Sequence, residues 1–470
     1  MVRKIRTIVL LLLVPCVSIV TWAQLRSDVR LPNAPSASPS LLAKAEVGAQ
    51  TGMSSASSSS GMQALLTREQ AETIALANNP RIHIGQLLAK VQHQVVRETR
   101  SGELPDLSGN LTAVQAEEAS RVSAGSLTAS RLLQHAGMGV ELNQLITDFG
   151  HTQNLVSSAK LSEKARLADA EASREDIVLA TDQVFYQAIE AEATLKVAEQ
   201  TVSARQTLVD QVSALTSAKL KSDLDLSFAQ VNLSQAKLLQ LDAQNNFDAA
   251  KATLDSVLGY DRPTNYTLVA GSGALTALPP DVGMLIASAI QNRPDLQSLQ
   301  WNEKAAQKYS RAQHEQLLPT ISAMGMVGKT EVGSSQYFPT DWYGGVGVNM
   351  SVPIFNGFRY TAEASQASLE AKAAAERTRD LRDQVVRDVR TAWLSANTAL
   401  QRVTVTGELV RQANLALNLA QTRYNLGLSS IVELSQAQLQ QTQAAISDAN
   451  ARAQYGFAMA DLRFQTGVQP

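Results

Sequence analysis

The side chains that could carry out acid–base or metal chemistry are few and scattered along this chain. None of the histidines has the spacing to acids or thiols that a metal site requires. No serine–histidine–aspartate order, phosphate-binding loop or paired-carboxylate motif stands out. The pattern therefore predicts a protein that is not an enzyme and that holds neither a metal nor a cofactor. The five histidines are His83, His93, His135, His151 and His314.

The chain instead repeats itself. Residues 71–82 reappear as residues 285–296, at an offset of 285 − 71 = 214. Further on the offset falls to 208, since Gly259 returns as Gly467. Self-similarity over so long a period indicates two tandem structural repeats and a pseudo-symmetric object. We expect each repeat to contain a helix, a β-hairpin, a long helix and a return helix, over residues 63–270 and 271–470.

The N-terminus has the features of a secretory signal peptide, predicted over residues 1–23. Three basic residues precede an apolar run over residues 8–20, which is too short to span a bilayer as a helix. Cys16 is a candidate for acylation, but the proline before it fits a lipoprotein site poorly. The serine- and proline-rich residues 24–62 carry too little apolar side chain to offset the entropy of ordering, so they predict a disordered leader.

Charge and hydropathy exclude several classes of protein. The chain has 41 Lys and Arg against 43 Asp and Glu, and removal of the signal peptide leaves 38 against 43. This balance is too mild for a nucleic-acid-binding protein. The exported part would contain no cysteine, so packed surfaces rather than disulfides must stabilise it. After the signal no stretch approaches eighteen consecutive apolar residues, which argues against a helical inner-membrane protein.

Within each repeat the hydrophobic period changes from that of a helix to that of a strand and back. Thr67 and Gln70 predict a capping box for the first helix, which Pro80 interrupts and which ends near Ser101. Segments with one apolar and one small or polar face then follow, as strands have. They cover residues 107–113, 138–143, 321–328 and 346–352, of which 321–328 alternates least regularly.

A long helix is predicted after each hairpin. Residues 151–214 contain neither glycine nor proline. Apolar residues step by four and three through residues 184–212 and again through 392–420, with Arg205 and Thr406 as the polar members. A seven-residue repeat held over four heptads predicts coiled-coil packing.

Helix lengths then restrict the architecture. The long helix of about 64 residues would extend roughly 95 Å, whereas the return helix, about residues 223–258, would reach roughly 54 Å. The first helix would reach about 52 Å. We therefore expect one long rod packed beside two half-length rods, with strands at one end and a tight turn at the other.

The apolar face of the strands needs a partner, and a membrane β-barrel supplies one because lipid covers that face and closure removes the edges. Four strands cannot enclose water, since about eight are needed just to leave room for side chains. Three copies would give a trimeric twelve-stranded barrel. Aromatic residues at the second hairpin, as expected of an interfacial belt, support this interpretation. They are Tyr337, Phe338, Trp342 and Tyr343.

At this point the chain resembles the TolC-like outer membrane efflux protein family over about residues 63–467. Residues 66–80 resemble the first-helix signature of that family. Its two strand-to-helix junctions are similar to residues 148–151 and 352–359, and its helix-turn-helix tip is similar to residues 423–438. The junction residues concerned are Asp148, Gly150, Pro353, Asn356 and Gly357.

The resemblance implies a mainly α-helical homotrimer with an α-barrel of coiled-coil helices in the periplasm and a β-barrel in outer membrane lipid. It also implies that the tip docks on a periplasmic adaptor coupled to an inner-membrane pump. The tip residues are Lys219, Leu220, Ser222, Arg423, Gly427, Leu428 and Ser429. Many members narrow the closed tip with an acidic ring, for which Asp223, Asp225 and Glu433 are candidates; a simpler role is to favour helix N-termini through the dipole.

The first tip departs from the second at one position. Lys219 stands where the second tip has Gly427, so a left-handed helix cap is less easily made in the first tip.

The sequence leaves more than one function open. A secreted coiled-coil scaffold, rather than a channel, is the alternative function. Within the channel class, the sequence does not choose between efflux of small molecules and type I secretion of polypeptides.

Overall fold

The computed structural model describes residues 64–115, 122–124, 127–130, 134–262, 264–269, 277–332 and 342–467. The predicted signal peptide and leader lie outside these residues, as do Tyr337 and Phe338 of the predicted belt. The helices are α1 (Arg68–Asn78), α2 (Pro80–Ser101), α3 (His151–Ser217), α4 (Asp223–Leu258), α5 (Val282–Asn292), α6 (Pro294–Glu315), α7 (Arg359–Asn425) and α8 (Ile431–Thr466). The strands are β1 (Ala64–Leu66), β2 (Asp106–Gln115), β3 (Val122–Ala124), β4 (Leu127–Ser130), β5 (Gln134–Thr147), β6 (Tyr266–Leu268), β7 (Thr320–Val332) and β8 (Trp342–Ser351).

The helices of the two halves match in length as well as in order. The two long helices have 67 residues each, the two return helices have 36, and α2 and α6 have 22. The predicted capping box forms, with Thr67 Oγ1 accepting from Gln70 N and Gln70 Oε1 accepting from Thr67 N. Pro80 and Pro294 each begin a helix, where a missing N–H costs nothing.

Six of the described helices form one layer built on the two long helices, and the short helices α1 and α5 pack on α3 and α7 respectively. In the half next to the strands, α2 packs on α3, α3 on α6, and α6 on α7. In the other half the order is α4, α3, α8 and α7. The predicted arrangement of a long rod beside two half-length rods is therefore confirmed. The layer ends at α2 and α4 on one side and at α7 on the other.

The residues of the predicted heptad seams lie at the contacts between neighbouring helices of this layer. Arg205 and Thr406, the polar members, are buried and paired: Arg205 donates to Gln438 Oε1, and Thr406 Oγ1 donates to Asp448 Oδ1 at 3.1 Å. Ala188, Ala198 and other small side chains of the seams are fully buried, which permits close helix approach.

Four long strands form an antiparallel sheet in the order β2-β5-β7-β8. Among the described strands, β2 and β8 each pair on one side only, so they form the two edges of this sheet. The register gathers exposed apolar side chains on one face. These are Leu107, Leu111, Met138, Val140, Leu142, Val327, Val346, Val348 and Met350. Among the described residues, no helix is both long and apolar enough to cross a membrane.

Candidate functional site: the helical tip and its supports

The two tip turns share one backbone geometry. Lys219 has φ +61° and Gly427 has φ +71°, both in the left-handed region. In the first turn Leu220 N donates to Leu215 O at 2.8 Å; in the second, Leu428 N donates to Arg423 O at 2.8 Å. These bonds close a Schellman motif at the end of each long helix. The first cap is thus made despite its lysine, which retains the steric cost of a Cβ there.

Each return helix begins with a serine cap. Ser222 Oγ accepts from Asp225 N at 3.2 Å, and Asp225 Oδ2 accepts from Ser222 N at 3.3 Å. In the second tip Ser430 Oγ accepts from Glu433 N at 3.4 Å. Asp225 and Glu433, two candidates for the acidic ring, therefore lie in the first turns of helices, where the dipole favours an acid.

A contact between the two tips was not foreseen from the sequence. Lys221 Nζ lies 4.2 Å from the centre of the Tyr424 ring, so a cation in the first turn covers an aromatic ring at the end of the second long helix. Tyr424 is only 4 % exposed and belongs to a core with Val212 of α3 and Leu434 of α8. Burial, followed by the charge of Asp225, raises the pKa of the Tyr424 hydroxyl.

Both exposed leucines and charged side chains lie at the tip. Leu220 and Leu428, at equivalent positions of the two turns, are 70 % and 67 % exposed. Beside them Arg423 Nε lies 3.4 Å from Glu433 Oε1. Two exposed leucines flanked by charged side chains are suited to contact another protein, because apolar anchors with a polar rim are typical of interfaces.

Local hydrogen bonds shape the first strand-to-helix junction, between β5 and α3. Asp148 Oδ2 accepts from Thr152 N at 2.7 Å and Oδ1 accepts from Gly150 N at 3.2 Å. Although burial acts to raise it, these bonds keep the pKa of Asp148 below its ordinary value. His151 Nδ1 donates to Ala312 O at 2.7 Å, a structural role that ties α3 to α6.

The second junction also has two consecutive residues in the left-handed region, but the order of phenylalanine and glycine is reversed. Phe149 and Gly150 have φ +56° and +111°, and Gly357 and Phe358 have φ +66° and +65°. Each junction therefore places one glycine and one phenylalanine in the left-handed region. Pro353 and Asn356 lie between β8 and this turn, and Asn356 O accepts from Arg359 N at 3.4 Å.

A buried charge cluster lies midway along α3. Arg68 Nη1 is 2.7 Å from Glu72 Oε1 and 3.3 Å from Asp182 Oδ2, with both acids almost fully buried. Burial and then the neighbouring Asp182 raise the pKa of Glu72 to about 7. The cluster binds α1 to α3, and neither Val282 nor Ile286, which stand at the equivalent positions of the second repeat, can reproduce it.

The described part of the predicted aromatic belt lies on β8. Trp342 is 65 % exposed and Tyr343 is 45 % exposed. Trp342 shares the face of the exposed apolar side chains, whereas Tyr343 lies on the opposite face, over Gly328 and Gly139, where a Cβ would meet its hydroxyl. The described residues contain no group of three or more His, Cys, Asp or Glu that could hold a metal ion.

A layer of paired long helices, continued by a sheet with an exposed apolar face, defines a channel-forming membrane protein. The model of the family described as outer membrane efflux protein matches residues 73–260 and 285–468. The chain belongs to this family, and it is an efflux channel protein of the outer membrane.

Individual relatives are distant but cover most of the chain. The outer membrane efflux protein BepC of Brucella suis is 22 % identical over 377 residues, with 77 % of each chain covered. TolC of Escherichia coli is 21 % identical over 84 % of this chain and 80 % of its own. The outer-membrane channel OprN superposes with a TM-score of 0.74 at 16 % identity, covering 86 % of this chain and 90 % of its own. VceC of Vibrio cholerae gives 0.72 at 17 % identity, covering 85 % and 96 %.

Proposed function

We propose that three copies of this chain close into a passive duct, with a twelve-stranded barrel in the outer membrane and a twelve-helix tunnel in the periplasm. The proposal rests on one observation: in a single chain, both the sheet and the helical layer have two unpaired edges. The sheet ends at β2 and β8, and the helical layer ends at α2 and α4 on one side and at α7 on the other. An edge of this kind is completed by the opposite edge of another copy, as head-to-tail contacts in a ring require.

Exposed apolar side chains at these edges support the same closure. Leu87 and Val91 of α2 are each 58 % exposed, and Val231 of α4 is 54 % exposed. On the opposite edge α7 exposes Leu394 and Val405. Such rows on both edges match what a neighbouring copy would cover, since isolated exposed leucines are common but aligned rows mark an interface.

The tip is proposed as both the docking surface and the gate. Leu220 and Leu428, with the other tip residues named above, would contact a periplasmic adaptor that couples the duct to an inner-membrane pump. The Lys221–Tyr424 contact would hold the two tips of one chain together in a narrow state. Asp223, exposed at the start of α4, remains a candidate for the acidic ring with Asp225 and Glu433.

We propose small molecules as the cargo. Among similar proteins, one from Pseudomonas putida is called a toluene efflux pump outer membrane protein and another, from Shigella flexneri, a putative multidrug resistance outer membrane protein. The duct would supply a water path, and the pump would supply the energy.

Accumulation of a fluorescent efflux substrate in cells tests this function. Cells from which the chain is deleted should accumulate more dye than cells that carry it, and a copy supplied on a plasmid should restore export. A variant with Leu220 and Leu428 both changed to aspartate should assemble in the outer membrane yet fail to restore export. Unchanged dye accumulation together with loss of a secreted polypeptide would move the cargo to the polypeptide class.

A further inference from the structure

Six exposed cations form three pairs that the internal repeat preserves. Lys90 and Lys304 are separated by the offset of 214 residues, and so are Arg97 and Arg311. Lys164 and Lys372 are separated by the later offset of 208. The lysines of the other half of the tunnel are not repeated: threonine and alanine stand at positions 404 and 445, where the first copy has Lys196 and Lys237.

These six cations are exposed and have no acidic partner among the described residues; none lies within 4.0 Å of a carboxylate oxygen. Lys164 Nζ and Lys304 Nζ both approach the Trp301 ring, at 4.8 Å and 4.5 Å from its centre. Acids of the same region are engaged by other residues: Glu163 by His93, Glu315 by Asn154, and Glu171, about two turns beyond Lys164 on the same face, by Arg174 at 2.9 Å. The chain as a whole is slightly acidic, so the cluster is not a consequence of composition.

Contacts place three of these cations on the side of the helical layer on which α1 packs, and the repeat gives Lys90, Arg97 and Lys372 the equivalent positions. Lys164 precedes Asp182, the residue of α3 that Arg68 of α1 contacts, by 18 residues, and about 3.6 residues per turn places them on one face. The shared Trp301 ring brings Lys304 to the same side. Arg311 follows Lys304 by about two turns and so stays on that face.

That side is the outside of the proposed tunnel. Twelve helices spaced about 10 Å apart form a ring roughly 38 Å across, which leaves a bore of roughly 28 Å once one helix diameter is removed. The α1 and α5 helices of three copies would fill this bore if they lay inside. They must therefore lie outside, and the cations with them.

We infer that these six residues, here called the basic belt (Lys90, Arg97, Lys164, Lys304, Arg311 and Lys372), bind the carboxylate-bearing peptidoglycan that surrounds the tunnel. The inference rests on the proposed function, since it requires a tunnel in the periplasm. Three copies would present a ring of lysine and arginine charges with pseudo-sixfold symmetry, which suits a repetitive anionic polymer rather than one small ligand.

The distance of the belt from the strand end of the helices favours a polymer over lipid headgroups as the ligand. Arg97 and Arg311 lie four residues from the ends of α2 and α6, about 6 Å along the axis. Lys304 is eleven residues, about 16 Å, from the end of α6, and Lys164 is about 20 Å beyond the start of α3. Because the Debye length is about 8 Å, only the arginines would be attracted strongly by charged headgroups at the membrane surface.

Co-sedimentation of the purified, detergent-solubilised protein with peptidoglycan sacculi tests the belt. The protein should pellet with sacculi at low salt and be released as salt rises from about 50 to about 300 mM. The double variant K164Q/K304Q should be retained at least about threefold more weakly, because it removes two local charges per chain. The matched control K196Q/K237Q removes the same charge from the other half of the tunnel and should bind as the original protein does.

A replacement variant and a conductance measurement distinguish failure of the belt from failure of the proposed duct. If K164Q/K304Q does not assemble, K90Q/K372Q replaces it, since neither lysine stacks on Trp301. Equal retention of the belt and control variants, or binding to phosphatidylglycerol vesicles but not to sacculi, would overturn the inference. Ion conductance of the same protein in planar lipid films is measured in parallel: a protein that conducts but ignores sacculi refutes only the belt, whereas a protein that does not conduct counts against the proposed duct.

Discussion

Lys221 and Tyr424 join the two tip turns of one chain, with the ammonium nitrogen 4.2 Å from the centre of the ring. They are 424 − 221 = 203 residues apart in sequence, yet the contact connects the first tip turn to the second long helix. Because Tyr424 is buried and Lys221 is half-buried, the contact is positioned by the surrounding core and does not depend on a mobile surface side chain.

The variant K221Q should open the tip more often. A cation–π contact at a partly exposed site contributes about 0.5–1 kcal/mol, so its loss should raise the ratio of open to closed channels about two- to fivefold per chain. Single-channel recording in planar lipid films measures this ratio. K237Q, a lysine change elsewhere on the tunnel, is the control, and an unchanged ratio in K221Q would show that the contact does not hold the gate.

Replacing Lys219 by glycine should stabilise the first tip. A side chain in the left-handed region costs roughly 1–2 kcal/mol, and glycine adopts that region without a Cβ. The melting temperature of the detergent-solubilised protein, followed by circular dichroism, should therefore rise in K219G. The converse change, G427A, should lower it by a similar amount; a decrease in K219G would mean that the lysine side chain contributes more than its backbone costs.

The buried cluster on α3 predicts a dependence of stability on pH. The pKa of Glu72 in the folded chain is about 7, against an ordinary value of 4.5. Between these values the folded chain keeps a proton that the unfolded chain has released, so stability should fall as pH rises from about 4.5 to about 7 and then level off. Glu72→Gln, which imitates the protonated acid, should reduce this slope.

Melting temperatures measured across that pH range check the prediction. Glu98→Gln on the exposed side of α2 removes one carboxylate without touching the cluster and serves as the control. A slope that is the same in Glu72→Gln as in the original protein would show that other groups cause the dependence.

Gly328 of β7 should tolerate no side chain. A Cβ there would lie 2.6 Å from Tyr343 Oη and 2.8 Å from the carbonyl oxygen of Met138, and the backbone atom cannot move aside easily. G328A should therefore reduce assembly of the barrel, seen as loss of the species that migrates differently on a gel before and after boiling. G347A, whose Cβ would come no closer than 3.8 Å to another residue, should assemble normally. Equal assembly of both variants would contradict the strand register.

The sequence predicted local and repeated features well and distant contacts poorly. The capping box at Thr67, the break at Pro80 and the polar seam residues Arg205 and Thr406 are all confirmed, because each depends on nearby residues or on a period that occurs twice. The Lys221–Tyr424 contact and the Arg68–Asp182 pair were missed, since each joins residues more than 100 positions apart with no periodic signal. The short pairs β1–β6 and β3–β4 were also missed, as three- or four-residue strands are below the length at which alternation is visible.

We propose that one chain completes its sheet and its helical layer only by sharing them with two other copies. Native mass measurement of the detergent-solubilised protein, combined with current recording in planar lipid films, tests it most directly. We expect the mass of three chains, an assembly that resists detergent until it is heated, and stable ion currents. A water-soluble single chain that gives no current would contradict it.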